Sequence, residues 1–470
     1  MIQPGKRTRR SALLVVAALS VSGNVLAQTP PAAPDPAQPA TPPSDQPGTA
    51  ANPANPPAPG PPPVAAQPPV AAPAPPATGF PTMAGPALRL NDLFTFRPGM
   101  FLQLWGNFTQ DAARKTAGGD SGGFTKNFYA RRARFLVGGS IGSNISYFML
   151  WESANLGAPL ANADFSTNKQ FTTFTFNDAY VDVKLSPNLS IQAGLMLIPF
   201  TRNILQSTAT YWALDVGGVS ATYIAATQTS TLRDTGVQVK VNAADNHFEF
   251  RGMASEGIRL GDNTPPPGAG APGRGAGKND PRLTAFAQYN LLDPDTGYVF
   301  NGQYFGRKKI AALAAGVDYQ SITSNPYFAT SVTAAAAIPL HGGDAKNGDD
   351  EFGGQVEYLH FHGGGVAAGN PASGLAKQNA LLVEAGYYNK GAHFSVFGKF
   401  EGRFFDVPDG SPLKAGNARV YGVGVKYFLA EQIANLTLMY SLTQAPDVVD
   451  PMMFRNDVNA IQLQLQVGYF

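Results

Sequence analysis

From Gly99 to the last residue, apolar and polar side chains alternate in segments of roughly 10 to 14 residues, the period at which a strand sends successive side chains to opposite faces. Over residues 393–404, Phe394, Val396, Phe400 and Phe404 fall on one face and His393, Ser395, Lys399, Glu401 and Arg403 on the other. Ala179, Val181, Val183 and Leu185 separate in the same way from Asp178, Tyr180, Asp182 and Lys184. So do Ile461, Leu463, Leu465 and Val467 from Gln462, Gln464 and Gln466. A helix would scatter these sets around its surface, so the pattern predicts strands. Seventeen segments fit, the first at 99–110 and the last at 457–470. Tyr298–Gly306 is the shortest and runs directly into Arg307-Lys308-Lys309, so it is assigned to a turn. Sixteen strands remain, an even number, as a single-chain barrel with both ends on one side requires. The connection 339–350 is long for the periplasmic side that this count gives it.

Such alternation suits either a soluble sheet with one wet face or a transmembrane barrel with lipid outside and water inside. Three features favour the barrel. The segments approach the roughly 9 to 11 residues that a tilted strand needs to cross a bilayer, and they repeat along all of 95–470. Aromatics also gather near their ends, at Phe128, Tyr129, Tyr147, Trp151, Tyr387, Tyr388, Phe404, Phe405, Tyr427 and Phe428, where interfacial girdles belong. The expected fold is all-β, a transmembrane antiparallel β-barrel of about 16 strands in residues 95–470. Tyr469, and not Phe470, falls on its lipid face.

Composition agrees with a barrel and separates what precedes it. Only 14% of residues are charged, against about 25% in soluble domains, and there is no Cys, which excludes disulfides, thiolate catalysis and zinc–thiolate sites. Residues 1–27 read as a signal peptide: Lys6, Arg7, Arg9 and Arg10, then the apolar run Ala12 to Leu19, then Val25-Leu26-Ala27 as the cleavage site. Of the 40 prolines, 22 lie between Thr29 and Pro86. Residues 28–94 are therefore expected to form a disordered Pro/Ala-rich periplasmic linker, a spacer or a tether that touches peptidoglycan through 29–86. The net charge of +2 comes from the four bases of the signal peptide; without them and without Asp35 and Asp45 the barrel is neutral.

If the lumen is polar, its charges decide what enters. The alternation turns Arg132, Arg134, Lys184, Lys240, Arg251, Lys399, Arg403 and Lys426 inward, together with Asp178, Asp182, Glu249, Glu384 and Glu401. These either filter solutes or pair across neighbouring strands to stiffen the wall. The segment 131–134 is the densest basic cluster, with Arg131 expected on the outer face or rim. The link from Phe200 to Thr231 carries Tyr211, Trp212, Tyr223 and Ile224, so it is expected to fold into the lumen, with Arg202 as a lining residue, or else to cap the surface. Catalysis has little support among five His residues: His247 and His393 are expected to face the pore from strands, and His360 and His362 share a face without an evident third metal ligand. No catalytic residue, metal, cofactor or nucleic-acid partner is expected.

With these segments in order, the sequence resembles the phosphate-selective porin O and P family of outer-membrane porins. The resemblance rests on Arg131-Arg132-Ala133-Arg134-Phe135, Asn177-Asp178-Ala179-Tyr180-Val181, Gly194 to Phe200, Arg233-Asp234-Thr235-Gly236-Val237, Ala385-Gly386-Tyr387-Tyr388 and the Gln-rich last strand. It implies a sixteen-stranded barrel in the outer membrane of a Gram-negative-type bacterium, assembled as a homotrimer in contact with outer-membrane lipid. It also implies passage of anions such as phosphate, with Arg132, Arg134 and Arg233 at the family's basic positions. The 198–202 segment offers one base where the family has a lysine-rich loop, so the expected function is a general porin for small hydrophilic solutes and ions with at most a weak anion preference. A loop-plugged structural or adhesive barrel is the alternative.

Overall fold

The computed structural model describes residues 87–91, 93–110, 115–116, 119–120, 124–159, 174–218, 232–257, 280–321, 326–362, 377–409, 411, 414, 416–445 and 457–469. The stretches expected to form a signal peptide and a Pro/Ala-rich linker, up to Pro86, lie outside them, as do Tyr223, Ile224 and Phe470.

Sixteen strands form the barrel: β1 Thr95–Gln110, β2 Phe124–Ile141, β3 Ile145–Leu156, β4 Thr175–Ser186, β5 Leu189–Leu197, β6 Arg233–Ala243, β7 Phe248–Ser255 and β8 Arg282–Asn290 make the first half. The second half is β9 Ile310–Gln320, β10 Tyr327–Pro339, β11 Glu351–His362, β12 Gln378–Asn389, β13 Phe394–Phe405, β14 Ala418–Ala430, β15 Ala434–Gln444 and β16 Asp457–Tyr469. Each pairs antiparallel with the next, and β16 returns to β1 with Tyr469 opposite Met100. Closure leaves no strand edge to be satisfied in lipid. A short strand, Leu88–Arg89, pairs with the first two residues of β1, Thr95 and Phe96. There Gly139 is required, because a Cβ would overlap Thr95 O and the Tyr147 hydroxyl that donates to it at 2.9 Å.

The alternation behaves as the sequence predicts. Leu313, Val332, Val423 and Tyr469 are exposed on the outside, and Gln103, Asp318, Glu401 and Gln464 are buried on the inside. Aromatic neighbours split between the faces: Phe128 and Tyr427 are exposed outward, whereas Tyr388, Phe405 and Phe428 are buried inward. The expected girdle is therefore only half a girdle, because adjacent residues of a strand cannot share a face.

The rims differ. Turns of two to four residues, at 142–144, 187–188, 244–247, 390–393 and 431–433, mark the periplasmic rim. Two periplasmic links break the rule, 291–309 and 340–350. Tyr298–Gly306 belongs to the first, so its assignment to a connection holds. The two links pack on each other, Asp349 N donating to Phe305 O at 3.0 Å. Gly306 adopts a φ of 69° at a point where a Cβ would overlap Asp349. His247 and His393 correct the sequence reading: both end periplasmic turns and neither lies on a strand, His393 having a φ of 54° that no strand accommodates.

Candidate functional site

The link after β5 turns into the barrel. Over 198–218 it runs across the lumen, and the wall holds it from many sides. Ser331 of β10 donates to Phe200 O at 2.6 Å, Glu357 of β11 accepts from Asn203 N at 3.1 Å, Lys426 of β14 donates to Tyr211 O at 2.6 Å and Gln466 of β16 donates to Ala209 O at 3.1 Å. Trp212 lies over Gly353 and Gly386, whose missing side chains make room for the indole. The expected insertion is thus what the described part of this loop does. Arg202, buried, reaches Gln288 Oε1 at 2.8 Å and Asp295 at 3.2 Å.

The basic cluster of β2 meets the far end of that loop. The register with β1 shifts between Gln103 and Leu104, where Arg132 and Ala130 are consecutive partners, so Arg131 is the extra residue of a bulge. The bulge corrects the expected outward placement of Arg131. Its Nε donates to Asp215 Oδ2 at 3.0 Å and its guanidinium lies 5.4 Å from the centre of the inward Trp105 ring. Arg132 donates to Asp215 Oδ1 at 2.5 Å. Burial alone would raise the Asp215 carboxyl, but Arg131 and Arg132 together hold it well below the usual carboxylate range. Arg134 pairs with Glu152 at 2.8 Å and donates to Thr208 at 2.6 Å. Arg233 reaches Asp178 at 2.9 Å. Arg132, Arg134 and Arg233 all act on Glu152, so the arginines form one cluster against the loop, and Arg131 keeps 23% of its side-chain surface exposed.

The other predicted lumen charges are mostly paired. Lys240 and Arg251 both hold Glu249, at 3.0 and 2.6 Å. Lys399 bonds Glu401 at 2.6 Å, Asp182 accepts from Gln192 at 3.2 Å, Glu384 accepts from Gln355 at 2.7 Å and Arg403 donates to Gly416 O at 2.8 Å. Lys184 sits half-buried at the periplasmic end of β4. Two inward partners escaped the sequence reading although the same alternation marks them: Arg282 and Asp318, 2.8 Å apart between β8 and β9. His360 and His362 stack 6.3 Å apart at the extracellular end of β11, His360 bonding Asn379.

The second lumen segment is the periplasmic link 291–309, whose stretch 298–306 alternates like a strand yet forms no strand of the barrel. It rises between the walls and packs under the loop. Phe300 N donates to Leu205 O and Ser207 N to Phe300 O, both at 2.8 Å, and Gln206 and Phe300 form a parallel bridge. Tyr298 donates to Asp178 at 2.6 Å against β4, while Phe305 meets Tyr388 and Phe428 edge-on at 5.2 and 5.3 Å on β12 and β14. Arg251 and Lys240 donate to Gly297 O, at 2.7 and 2.5 Å, and Glu351 accepts from Tyr304 N and Gly306 N.

A paired-charge lumen crossed by an inserted loop after β5 is a channel architecture, and the sequence comparison agrees: the family described as phosphate-selective porin O and P matches residues 102–394. The chain belongs to the phosphate-selective porin O and P family. It is an outer-membrane porin, a channel and not an enzyme. No curated protein matches its sequence. Among solved structures, this porin is similar to an anion-selective porin from Comamonas acidovorans, at 11% identity and a TM-score of 0.49 over 80% of this chain and 100% of that one. It is also similar to the outer-membrane channel DcaP of Acinetobacter baumannii, at 13% identity and a TM-score of 0.47 over 83% and 100%. A trimer form of OmpT from Vibrio cholerae gives 12% identity and a TM-score of 0.47 over 80% and 100%.

Proposed function

We propose that this porin passes small hydrophilic solutes and ions with a weak preference for anions, phosphate among them, and that Arg131, Arg132, Arg134 and Arg233 form the entry site. The observation that carries this reading is the cluster itself: four guanidinium groups share three carboxylates, Asp215, Glu152 and Asp178, leaving an excess of positive charge where Arg131 remains exposed. Such a site attracts an anion without trapping it, the balance that conduction needs. The other lumen bases are balanced, Lys240 and Arg251 by Glu249 and the nearby Asp182, Lys399 and Lys426 by Glu401 and the nearby Glu384, which argues against strict phosphate selectivity. The protein acts as a homotrimer in the outer membrane after loss of residues 1–27, with 29–86 reaching towards peptidoglycan.

Reversal potentials in a salt gradient, with chloride and then phosphate as the anion, test the entry site. The wild type is expected to prefer anions by a small factor, and Arg132→Ala with Arg134→Ala to lose that preference. An unchanged preference in the double variant would place the filter elsewhere.

A further inference from the structure

Resting on the porin reading, we propose that the periplasmic link 291–309 is the gate of this channel, closed in this structure, and that Arg202, Asp295 and Tyr304 are its latch. The lumen is filled at the level of the link. Phe300 at its centre is fully buried, and the wall side chains that the link or Arg202 meets, Asp178, Lys240, Arg251, Gln288, Glu351 and Ser395 on six different strands, are buried with it. The link meets β4, β6, β7, β11, β12, β13 and β14, and the loop meets β2, β10, β11, β14 and β16, so together they obstruct the cross-section and the open channel is the state in which one of them has moved.

The geometry selects the link. Wall side chains take both segments by the main chain, but what withdrawal leaves behind differs. The loop's Asp215 is the shared carboxylate of Arg131 and Arg132 on β2, which would lose it in a buried site. The link is held at Gly297 O by Arg251 and Lys240, which keep Glu249 as partner when it withdraws, and its own Asp295 pairs with Arg202 of the loop. At 19 residues between Asn290 and Ile310 the link has slack that the two- to four-residue periplasmic turns lack.

The seam between loop and link is also poorly satisfied. Arg202 Nε, Trp212 Nε1 and Gln355 Oε1 are buried without a hydrogen-bond partner among the described residues, and all three residues line one small cavity together with Asn301, Gly302 and Tyr304. Parting the seam lets water reach them, which lowers the cost of opening. The latch closes it again: Arg202 donates to Asp295 at 3.2 Å and to the Tyr304 hydroxyl at 2.9 Å, and that hydroxyl donates to Asp295. Arg307, at the end of the link, is paired with Glu431 of the periplasmic turn before β15 at 2.6 Å and would serve as the hinge anchor.

The chain has no native Cys, so a reversible staple is clean. Gln206→Cys with Phe300→Cys joins the bridged residues of loop and link across a spacing that suits a disulfide. In planar bilayers the reduced full-length protein is expected to give channel steps. The oxidised protein should lose at least about nine-tenths of its conductance and regain it on reduction, the tenfold change corresponding to about 1.4 kcal/mol. Asp295→Ala with Tyr304→Phe, which frees the latch without a crosslink, should raise the open fraction about threefold. Folding of each variant is checked by the heat-modifiable mobility of the barrel. Equal conductance of the oxidised and reduced forms, or a latch variant with the wild-type open fraction, overturns the gate alone. Absence of steps from wild type, reduced and latch proteins alike overturns the channel reading and the gate with it.

Discussion

Two segments cross the lumen of this porin, one from each rim, and the wall grips them by different means. The extracellular loop 198–218 is held by side chains that reach out from the strands: Arg131 and Arg132 on Asp215, Lys426 on Tyr211 O, Ser331 on Phe200 O. The periplasmic link 291–309 is taken by its backbone, from Arg251, Lys240 and Glu351, and by its aromatic rings, Tyr298 against β4 and Phe305 against β12 and β14, with no ion pair from its own side chains to a strand among the described residues. Withdrawing the loop would take Asp215 from Arg131 and Arg132 and leave buried cations short of their shared carboxylate, which is costly. Withdrawing the link leaves Arg251 and Lys240 still paired with Glu249, and its ring contacts are exchanged for water. The comparison assigns rigidity and entry chemistry to the loop and motion to the link.

The largest effect is expected where the two segments meet. Arg202→Met removes the cation that joins both to the wall and leaves Asp295 buried without it, which should cost about 3–5 kcal/mol. The measurement is urea unfolding of the micelle-bound barrel, and a loss below about 1 kcal/mol would mean that Arg202 is not the shared anchor. Gly386→Ala comes next. Its methyl would overlap the Trp212 indole, and overpacking of this kind costs about 1–3 kcal/mol. Displacement of the loop should red-shift Trp emission, and an unshifted spectrum would show that the loop yields elsewhere.

Asp215→Asn sharpens the electrostatic half of the comparison. Withdrawing one carboxylate from beside Arg131 and Arg132 changes the field at the mouth by about 1 kcal/mol in a water-like medium. The anion-to-cation permeability ratio should rise about fivefold, and a fall would contradict the entry site.

The smallest effect concerns 340–350. His341 bonds Asp349 at 3.0 Å, and this contact raises the imidazole above its ordinary value. Its stabilising effect is therefore complete below about pH 6.5, the unfolded value, and is lost as pH rises through the higher folded value. Burial acts to raise Asp349, but His341 and three backbone amides outweigh it and bring the carboxyl to about 2. Its contribution is present above about pH 4 and disappears as pH falls towards 2. Proteolysis of this link should become slightly faster between pH 6 and 8, a dependence that His341→Gln abolishes.

Much of this molecule could be read from local pattern. Lys399 and Glu401 against Val396 and Phe400, or the glutamines of β16 against its leucines, declare the strand, its face and its place in a barrel, because a pleated backbone gives each residue a side by parity alone. Arg282 and Asp318 were legible by the same rule. Parity fails where the backbone departs from it. The bulge beside Arg132 adds one residue and turns Arg131 from lipid to lumen, and the positive φ of His393 takes it off its strand. Asp215, Asp295, Tyr298 and Tyr304 lie in connections, where nothing in the neighbouring sequence says which wall they will meet.

Local pattern carries the wall: the number of strands, their inward and outward faces, the excess of arginine on β2, and an aromatic loop destined for the interior. Each follows from short-range alternation and from the cost of placing charge in lipid. The tertiary structure alone decided what fills the lumen. Phe305 meets Phe428, and Arg202 meets Asp295 and Tyr304, only after all sixteen strands have closed. These contacts join residues some ninety to more than a hundred and twenty positions apart, a separation over which one-dimensional periodicity carries no signal.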